Sequence, residues 1–428
     1  MHELLKRFAR SKLLREEKQH LDAAYTSFYS GNLRSYAQAS DKTKLESRDY
    51  VYQDIDNYRK TWELMLEEEN LEALSDVVDA VYNLYFNKSL FYEGHEKFEK
   101  ALTKLQTLES VPDLLLGKVQ QSLAVFKMYL GNVADAKALF LQALSVLKNA
   151  SAHEEQAYIY KQLGLIAKQQ HQYDEALAAF DDSLMLFRSL EDEVGEAHAL
   201  NSIGITLKNQ EKFSEAETFL LNSLEMFERL GLEDDAAIAN HNLGSVALMQ
   251  DEFEKAKVHY LESLRTFETY DFRHGIAASH TNLGNVELKL GNYQKALVHL
   301  EQSVALKREA GDLVSLPEPL RQMALCFHGL RKLDKAVAKL SEALCLSIGS
   351  QPISFIVELL IDLAQILGDA GETKKAKDLL EFAQAYTTKA FIKPYLDSLS
   401  RGQGSSQTLA AFDIEPQLKD IRAQYSAS

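Results

Sequence analysis

The chain of 428 residues contains only two cysteines, Cys326 and Cys345. Two cysteines in a chain of this length cannot form a disulfide framework. Both fall at apolar positions of predicted helices, so we expect buried thiols in a reducing cytoplasm. Proline and glycine are also scarce, with 6 and 19 residues, and this scarcity favours a chain that is mostly helical.

Positive charge is scarce as well, since the formal net charge is −16. Such a chain repels the phosphate backbone of nucleic acids, and no basic stripe overrides the mean. We therefore expect no direct nucleic-acid binding. No run of about 18 apolar residues occurs, which argues against a membrane span. The first residues lack the apolar segment and cleavage site of a signal peptide, so we expect a cytoplasmic protein.

Motifs that carry catalysis or metal binding are missing from the sequence. There is no Gly-x-x-x-x-Gly-Lys-Ser/Thr phosphate loop and no Gly-x-Ser-x-Gly nucleophile elbow. His259 and His299 lie one repeat apart, but no cysteine or carboxylate completes a ligand set for a metal. Carboxylate pairs such as Asp181 and Asp182 fall on predicted helix surfaces. We predict a protein that is not an enzyme and that holds no metal and no cofactor.

The sequence does contain an internal repeat with a fixed step of forty positions. A small residue recurs at this step, at Ala124, Gly164, Gly204, Gly244, Gly284, Ala324 and Ala364. An alanine keeps the same step, at Ala136, Ala176, Ala216, Ala256, Ala296, Ala336 and Ala376. Each unit is typical of a helix, a short turn and a second helix, in which the small residues let the two helices approach closely. Seven registers without an insertion predict seven such units.

A single hairpin of this kind cannot bury its apolar faces, so neighbouring units must stack. The fold class we predict is all-α, a right-handed superhelical solenoid with a concave surface. Before the repeats, we expect one helix from Met1 to about Ser30, broken by Gly31-Asn32. The predicted organisation is an N-terminal helical linker or cap (1–70), a degenerate repeat (71–114), seven repeats of forty residues (115–395), and a linker with a C-terminal capping helix or tail (396–428).

The repeat motifs resemble the tetratricopeptide repeat (TPR) family in its long-helix variety. The motifs that carry this resemblance are Asn242-Leu243-Gly244 with Phe253-Glu254-Lys255-Ala256, and Asn282-Leu283-Gly284 with Tyr293-Gln294-Lys295-Ala296. The resemblance implies a stack of helical hairpins that binds protein partners.

The N-terminal part carries a second resemblance. Met1-His2-Glu3-Leu4-Leu5-Lys6-Arg7-Phe8-Ala9 and Ile55-Asp56-Asn57-Tyr58-Arg59 are similar to segments of bacterial signal-transduction ATPases of the STAND class. In those proteins a P-loop ATPase is switched by a repeat array that acts as the sensor. This chain has no phosphate loop, and no helix-turn-helix DNA reader follows the repeats. The resemblance therefore implies the sensor half, with a separate STAND-type ATPase or a small effector among the candidate partners.

In the TPR family the first helix of each repeat lines the concave groove, which implies a set of ligand-binding positions. The candidates are Gln121, Lys161, Lys168, Asn201, Lys208, His241, Asn242, Thr281, Asn282, Asn285 and Arg321. Amides suit an extended peptide, because each pairs with a backbone N–H and a C=O at once. The three lysines form a basic patch suited to a carboxylate, an acidic segment or a phosphate. Leu165 stands where the family's carboxylate clamp has an asparagine, so we expect no such clamp.

Two functions remain open at this point. The first is a sensor or interaction module that binds a peptide segment or a small effector in the groove, in signalling or transcriptional regulation. The second is a constitutive scaffold or adaptor for the assembly of a protein complex.

Overall fold

The computed structural model describes residues 15–38 and 54–387, together with Leu418, Lys419 and Ile421. The segment Met1–Ala9, part of the STAND resemblance, lies outside these residues. Within the described ranges the chain is all-helical, without strands. The helices are α1 (Arg15–Gln38), α2 (Ile55–Glu67), α3 (Leu71–Asn87), α4 (Phe91–Leu105), α5 (Asp113–Tyr129), α6 (Val133–Asn149), α7 (His153–Gln169), α8 (Tyr173–Ser189), α9 (Glu193–Asn209), α10 (Phe213–Leu230), α11 (Glu233–Met249), α12 (Phe253–Thr269), α13 (Arg273–Lys289), α14 (Tyr293–Glu309), α15 (Pro317–Gly329), α16 (Leu333–Ser347), α17 (Ile353–Asp369) and α18 (Thr373–Ala383).

The described chain divides into two compact units, one up to Thr206 and the other from Leu207 onward. In the first unit α5 packs on α6 and α7 on α8, and in the second unit the pairs α11–α12, α13–α14, α15–α16 and α17–α18 pack in the same way. Successive hairpins inside each unit also contact one another, for example α12 with α13 and α14 with α15. The prediction of an all-α fold made of TPR-like helix pairs is confirmed.

The small residues of the repeat lie at close contacts between paired helices. A Cβ atom added at Gly164 would lie 2.6 Å from the ring of Phe180, and one at Gly284 would lie 2.6 Å from Leu300. Both partner side chains are fully buried. The fixed step in the sequence therefore marks the positions where two helices touch, which is the reason we gave for it.

The turn between the two helices of a repeat also follows the step of forty. Gly131 and Gly291 have φ values of 85° and 76°, in the left-handed region that favours glycine. His171, Asp251 and Arg331 occupy the same position in other repeats, each with a φ of 59°. A side chain in this conformation is strained, so these turns are stabilised by the helix packing on both sides and not by the turn residue.

The predicted helix break at Gly31-Asn32 is wrong, because α1 continues through both residues. A glycine inside a helix costs only about 1 kcal/mol relative to alanine. Leu33, two residues further on, is fully buried, and its burial outweighs that cost. The Tyr25 hydroxyl also donates to Oδ1 of Asn57 at 2.8 Å, tying α1 to α2.

The prediction for the cysteines is half right. Cys326 is buried, and burial raises the pKa of its thiol to about 12. Cys345 is exposed, because its neighbour Leu344 takes the core position on α16.

At the C-terminal end, Leu418 and Ile421 are buried in the core of the second unit. No helix in the described ranges combines the length and the apolar character needed to cross a membrane.

Candidate functional site

Each first helix leaves one narrow face half-buried, and we call this face the first-helix stripe. Its members lie two or three residues before the small residue, one after it and four after it, a spacing that keeps them on one side of a helix. The residues between them are buried against the second helix and the neighbouring repeat. The stripe comprises Lys161, Leu165 and Lys168 of α7, His241, Asn242, Ser245 and Leu248 of α11, Asn282, Asn285 and Leu288 of α13, and Arg321, Leu325 and His328 of α15.

In the first unit the predicted lysines lie two turns apart on α7, about 10 Å along the helix at ~1.5 Å per residue. The Lys161 ammonium rests 5.5 Å from the centre of the Tyr158 ring. Burial lowers the pKa of Lys168. Lys208 belongs to the second unit, so a patch that combines all three lysines stays a prediction.

Two predicted amides of the first unit carry enclosed oxygen atoms. Among the described residues, no donor reaches Oε1 of Gln121 or Oδ1 of Asn201. A buried acceptor without a donor is destabilising by about 1–3 kcal/mol. Each oxygen is enclosed by the protein and is therefore not itself a contact point for a ligand.

In the second unit His241 is the centre of a polar network inside the stripe. Asn282 Nδ2 donates to His241 Nε2 at 3.0 Å, and Ser279 Oγ lies 3.5 Å from Nδ1. The imidazole packs edge-on against the Tyr260 ring. Burial lowers the pKa of His241 to about 4, with the charge of Lys208 adding to the effect. The imidazole is therefore neutral at pH 7 and accepts the amide hydrogen bond.

Asn242 and Asn285 differ from Asn282, because neither is used inside the protein. Both are half-buried on neighbouring first helices of the second unit. Within the part of the chain that the structure describes, neither side chain forms a hydrogen bond. Each amide keeps a donor and an acceptor for a ligand.

Two predicted ligand-binding residues are engaged by the protein itself. Thr281 is buried, donates to the carbonyl of Ala277 at 3.0 Å and lies 2.7 Å from Ser303 Oγ. Arg321 forms ion pairs at 2.6 Å with Glu358 and with Asp362 of α17. The charge of Arg321 is thus satisfied by the next repeat, and its side chain is not an open cation.

His259 and His299, for which the sequence offers no complete set of metal ligands, each contact one other side chain within hydrogen-bonding distance. Nδ1 of His280 lies 3.0 Å from Nδ1 of His299, and His259 Nδ1 lies 3.0 Å from Asn240 Oδ1. Burial, followed by the neighbouring His299, lowers the pKa of His280 to about 4. Across the described ranges, no group of three or more histidine, cysteine or acidic residues is arranged to hold a metal ion.

A cavity of about 500 Å³ opens beside the stripe in the second unit. Its wall combines stripe residues with a lysine of α14 that sequence reasoning missed, Lys307, whose side chain is only 9% exposed. The sequence itself distinguishes this lysine, because the three preceding repeats have a phenylalanine at the same position: Phe187, Phe227 and Phe267. The lining is Ala278, Thr281, Asn282, Lys307, Val314, Ser315, Glu318, Pro319, Gln351 and Phe355.

Paired helices stacked at a fixed step, with small residues at each crossing, define a helical-repeat protein. Residues 116–189, 195–269 and 275–346, together just over half of the chain, match the family model described as tetratricopeptide repeat. The chain belongs to the tetratricopeptide repeat family. No protein with a curated functional description matches the sequence.

Solved structures share the fold at low sequence identity. One is the apo form of the quorum sensor NprR from B. thuringiensis, with a TM-score of 0.58 and 16% identity over 83% of this chain and 98% of that one. A second is a STAND protein with a tetratricopeptide repeat sensor from Pyrococcus horikoshii, with a TM-score of 0.55 and 14% identity. That match covers 81% of this chain and 54% of the ATPase, so this chain spans about half of its length. A third is a Rap protein complexed with competence and sporulation factor, with a TM-score of 0.53 and 16% identity over 76% of this chain and 98% of that one. The resemblance to STAND proteins with a TPR sensor is thereby confirmed at the level of the fold.

Proposed function

We propose that this protein is a non-catalytic interaction module that holds an extended peptide segment along the part of the first-helix stripe that lies in the second unit. The observation that carries the proposal is the pair of open amides, Asn242 and Asn285, on neighbouring first helices. An extended peptide presents N–H and C=O groups at regular intervals, and an asparagine amide pairs with one of each. The proposed context is signalling or regulation.

Proteins that share the fold add support from their own complexes. The Rap protein binds competence and sporulation factor in the structure named above, and NprR is described as a quorum sensor. At 16% identity these cases support a test of signalling factors as ligands of this chain. A STAND-type ATPase as partner stays a prediction.

The test begins with a random library of twelve-residue peptides selected on the full chain. Affinities of the enriched peptides are then measured for wild type, for Asn242→Ala with Asn285→Ala, and for Asn222→Ala. Asn222 is an exposed asparagine on α10, a second helix, and serves as the matched control. Loss of two amide contacts worth about 1 kcal/mol each weakens binding roughly 30-fold.

Unchanged helicity in the double variant shows that the effect is on binding. Equal peptide affinity for wild type and the double variant would reject the stripe as the site. A chain that selects no peptide but retains a folded partner protein regardless of added metabolites would favour the scaffold alternative.

A further inference from the structure

The lysine at position 307 breaks the apolar pattern of its own repeat position. The preceding repeats bury Phe187, Phe227 and Phe267 there, and each of these rings is at most 6% exposed. Lys307 takes the same place on α14 and is 9% exposed. A buried ammonium is expensive unless a counter-charge compensates it.

The structure gives Lys307 no such counter-charge at close range. Among the described residues, no carboxylate lies within ion-pairing distance of its ammonium, and no hydrogen bond satisfies it. Asp312 is the acidic group that acts on it electrostatically, but that carboxylate accepts the backbone N–H of Ser315 at 3.2 Å. Burial accordingly lowers the pKa of Lys307.

The cavity of about 500 Å³ supplies the room for a counter-ion that the protein itself lacks. Lys307 lines it from α14, while Thr281 and the stripe residue Asn282 line it from α13. Val314 and Phe355 give part of the wall an apolar character. The cavity therefore continues the first-helix stripe into a pocket with one buried cation and an apolar side.

We propose that this pocket binds a carboxylate carried next to an apolar group, with the Lys307 ammonium as its counter-ion. This inference rests on the proposed function, because the pocket shares Asn282 with the stripe. Glu318 also lines the pocket and accepts a hydrogen bond from Gln322. Its negative charge, together with that of Asp312, repels a phosphate dianion more strongly than an anion of single charge.

The site differs from a clamp built on first helices, since its cation stands on a second helix. Two sources supply the same chemistry: the end of a peptide and a small carboxylic acid. Both place a carboxylate beside a hydrocarbon group, and the length dependence of binding separates them.

The experiment uses the full chain and calorimetric titration. The probes are the N-acetyl derivatives of leucine, valine and phenylalanine, the corresponding amides, and inorganic phosphate. We expect at least one acid to bind with at least tenfold higher affinity than its amide. Acetylated tripeptides with the same last residue then bind more tightly if the natural ligand is a peptide end, and no more tightly if it is a small acid.

Two variants test the lysine itself. Lys307→Met removes the ammonium and is expected to reduce acid binding at least tenfold, while it raises Tm, because related repeats bury apolar side chains here. Lys332→Met, at an exposed lysine of the same unit, is the matched control and leaves both unchanged. The comparison of acid with amide needs no variant, so it stays decisive even if Lys307→Met does not fold.

Several results would overturn the carboxylate site. These are equal binding of acid and amide, binding of phosphate in their place, no binding of any acid at 10 mM, or a lower Tm in a folded Lys307→Met. If peptides bind the stripe and C-terminal amidation does not change their affinity, the carboxylate site at Lys307 is rejected. The proposed function would still stand in that case.

Discussion

Replacement of Gly164 by leucine tests the packing principle of the repeat most directly. A Cβ at this position would lie 2.6, 2.7 and 2.9 Å from three atoms of the Phe180 ring. The ring is fully buried, so it has no solvent to move into. Leucine adds three further carbons beyond the Cβ, and we expect the paired helices to separate.

The magnitude follows from two opposing effects. Replacing a glycine inside a helix by a residue of higher helix propensity stabilises the helix by about 0.8–1 kcal/mol. Overpacking a filled core typically costs about 1–3 kcal/mol and occasionally more, and four added carbons belong at the upper end. We therefore expect Gly164→Leu to reduce the free energy of unfolding by about 2 kcal/mol, measured by urea denaturation followed by circular dichroism.

A control and a rescue separate the steric effect from the effect of losing glycine. Gly31 lies inside α1 with no atom within 4 Å of the added Cβ, so Gly31→Ala should be neutral or stabilising. Phe180→Ala alone should cost about 3–5 kcal/mol through its cavity. In the double variant the new leucine fills part of that cavity, so the two losses do not add.

The reasoning fails if Gly164→Leu unfolds at the same urea concentration as wild type. It also fails if the double variant loses the full sum of the two single effects, because then Gly164 and Phe180 do not share one space.

Two further predictions concern the turns and the buried histidines. Arg331 has a backbone φ of 59°, in the left-handed region, so Arg331→Gly should raise the free energy of unfolding by about 0.5–1 kcal/mol. Gly291→Arg at the equivalent turn should lower the free energy of unfolding. A destabilising Arg331→Gly would contradict this prediction. His241 and His280 have pKa values lowered to about 4. Between pH 6.5 and 4 the unfolded chain therefore binds more protons than the folded chain, so the free energy of unfolding decreases as the pH is lowered. Each histidine contributes at most about 3 kcal/mol to the free energy of unfolding. Urea denaturation at pH 7 and pH 4.5 should show a smaller difference between the two pH values in His241→Gln than in wild type. The same difference in both would show that His241 is not held neutral.

The sequence predicted the fold because the repeat is a steric signal. Only a small side chain fits opposite Phe180 or Leu300, so Gly164 and Gly284 reveal the helix crossings without any knowledge of the structure. The end of α1 could not be predicted in this way. A glycine at position 31 has a local cost, but the burial of Leu33 against distant helices decides the outcome.

The candidate site was predicted less completely, because polar residues have partners that local patterns do not show. The sequence predicts Asn242, Asn285 and Arg321 as ligand-binding positions. The structure leaves the two asparagines without internal hydrogen bonds, whereas Arg321 is neutralised by carboxylates of α17. Lys307 is not predicted, because it lies on a second helix and the family resemblance implies a groove lined by first helices.

The repeat geometry itself explains why Arg321 and Lys307 differ. Stripe residues that pair with the next repeat find their partners one period away, give or take a helical turn: Asn282 lies 41 positions from His241, and Arg321 lies 37 and 41 positions from Glu358 and Asp362. The corresponding window downstream of Lys307, residues 344–348, holds no carboxylate. Lys307 thus has no acidic partner at this spacing in the next repeat. The adjoining cavity is the space in which a ligand would supply the counter-charge.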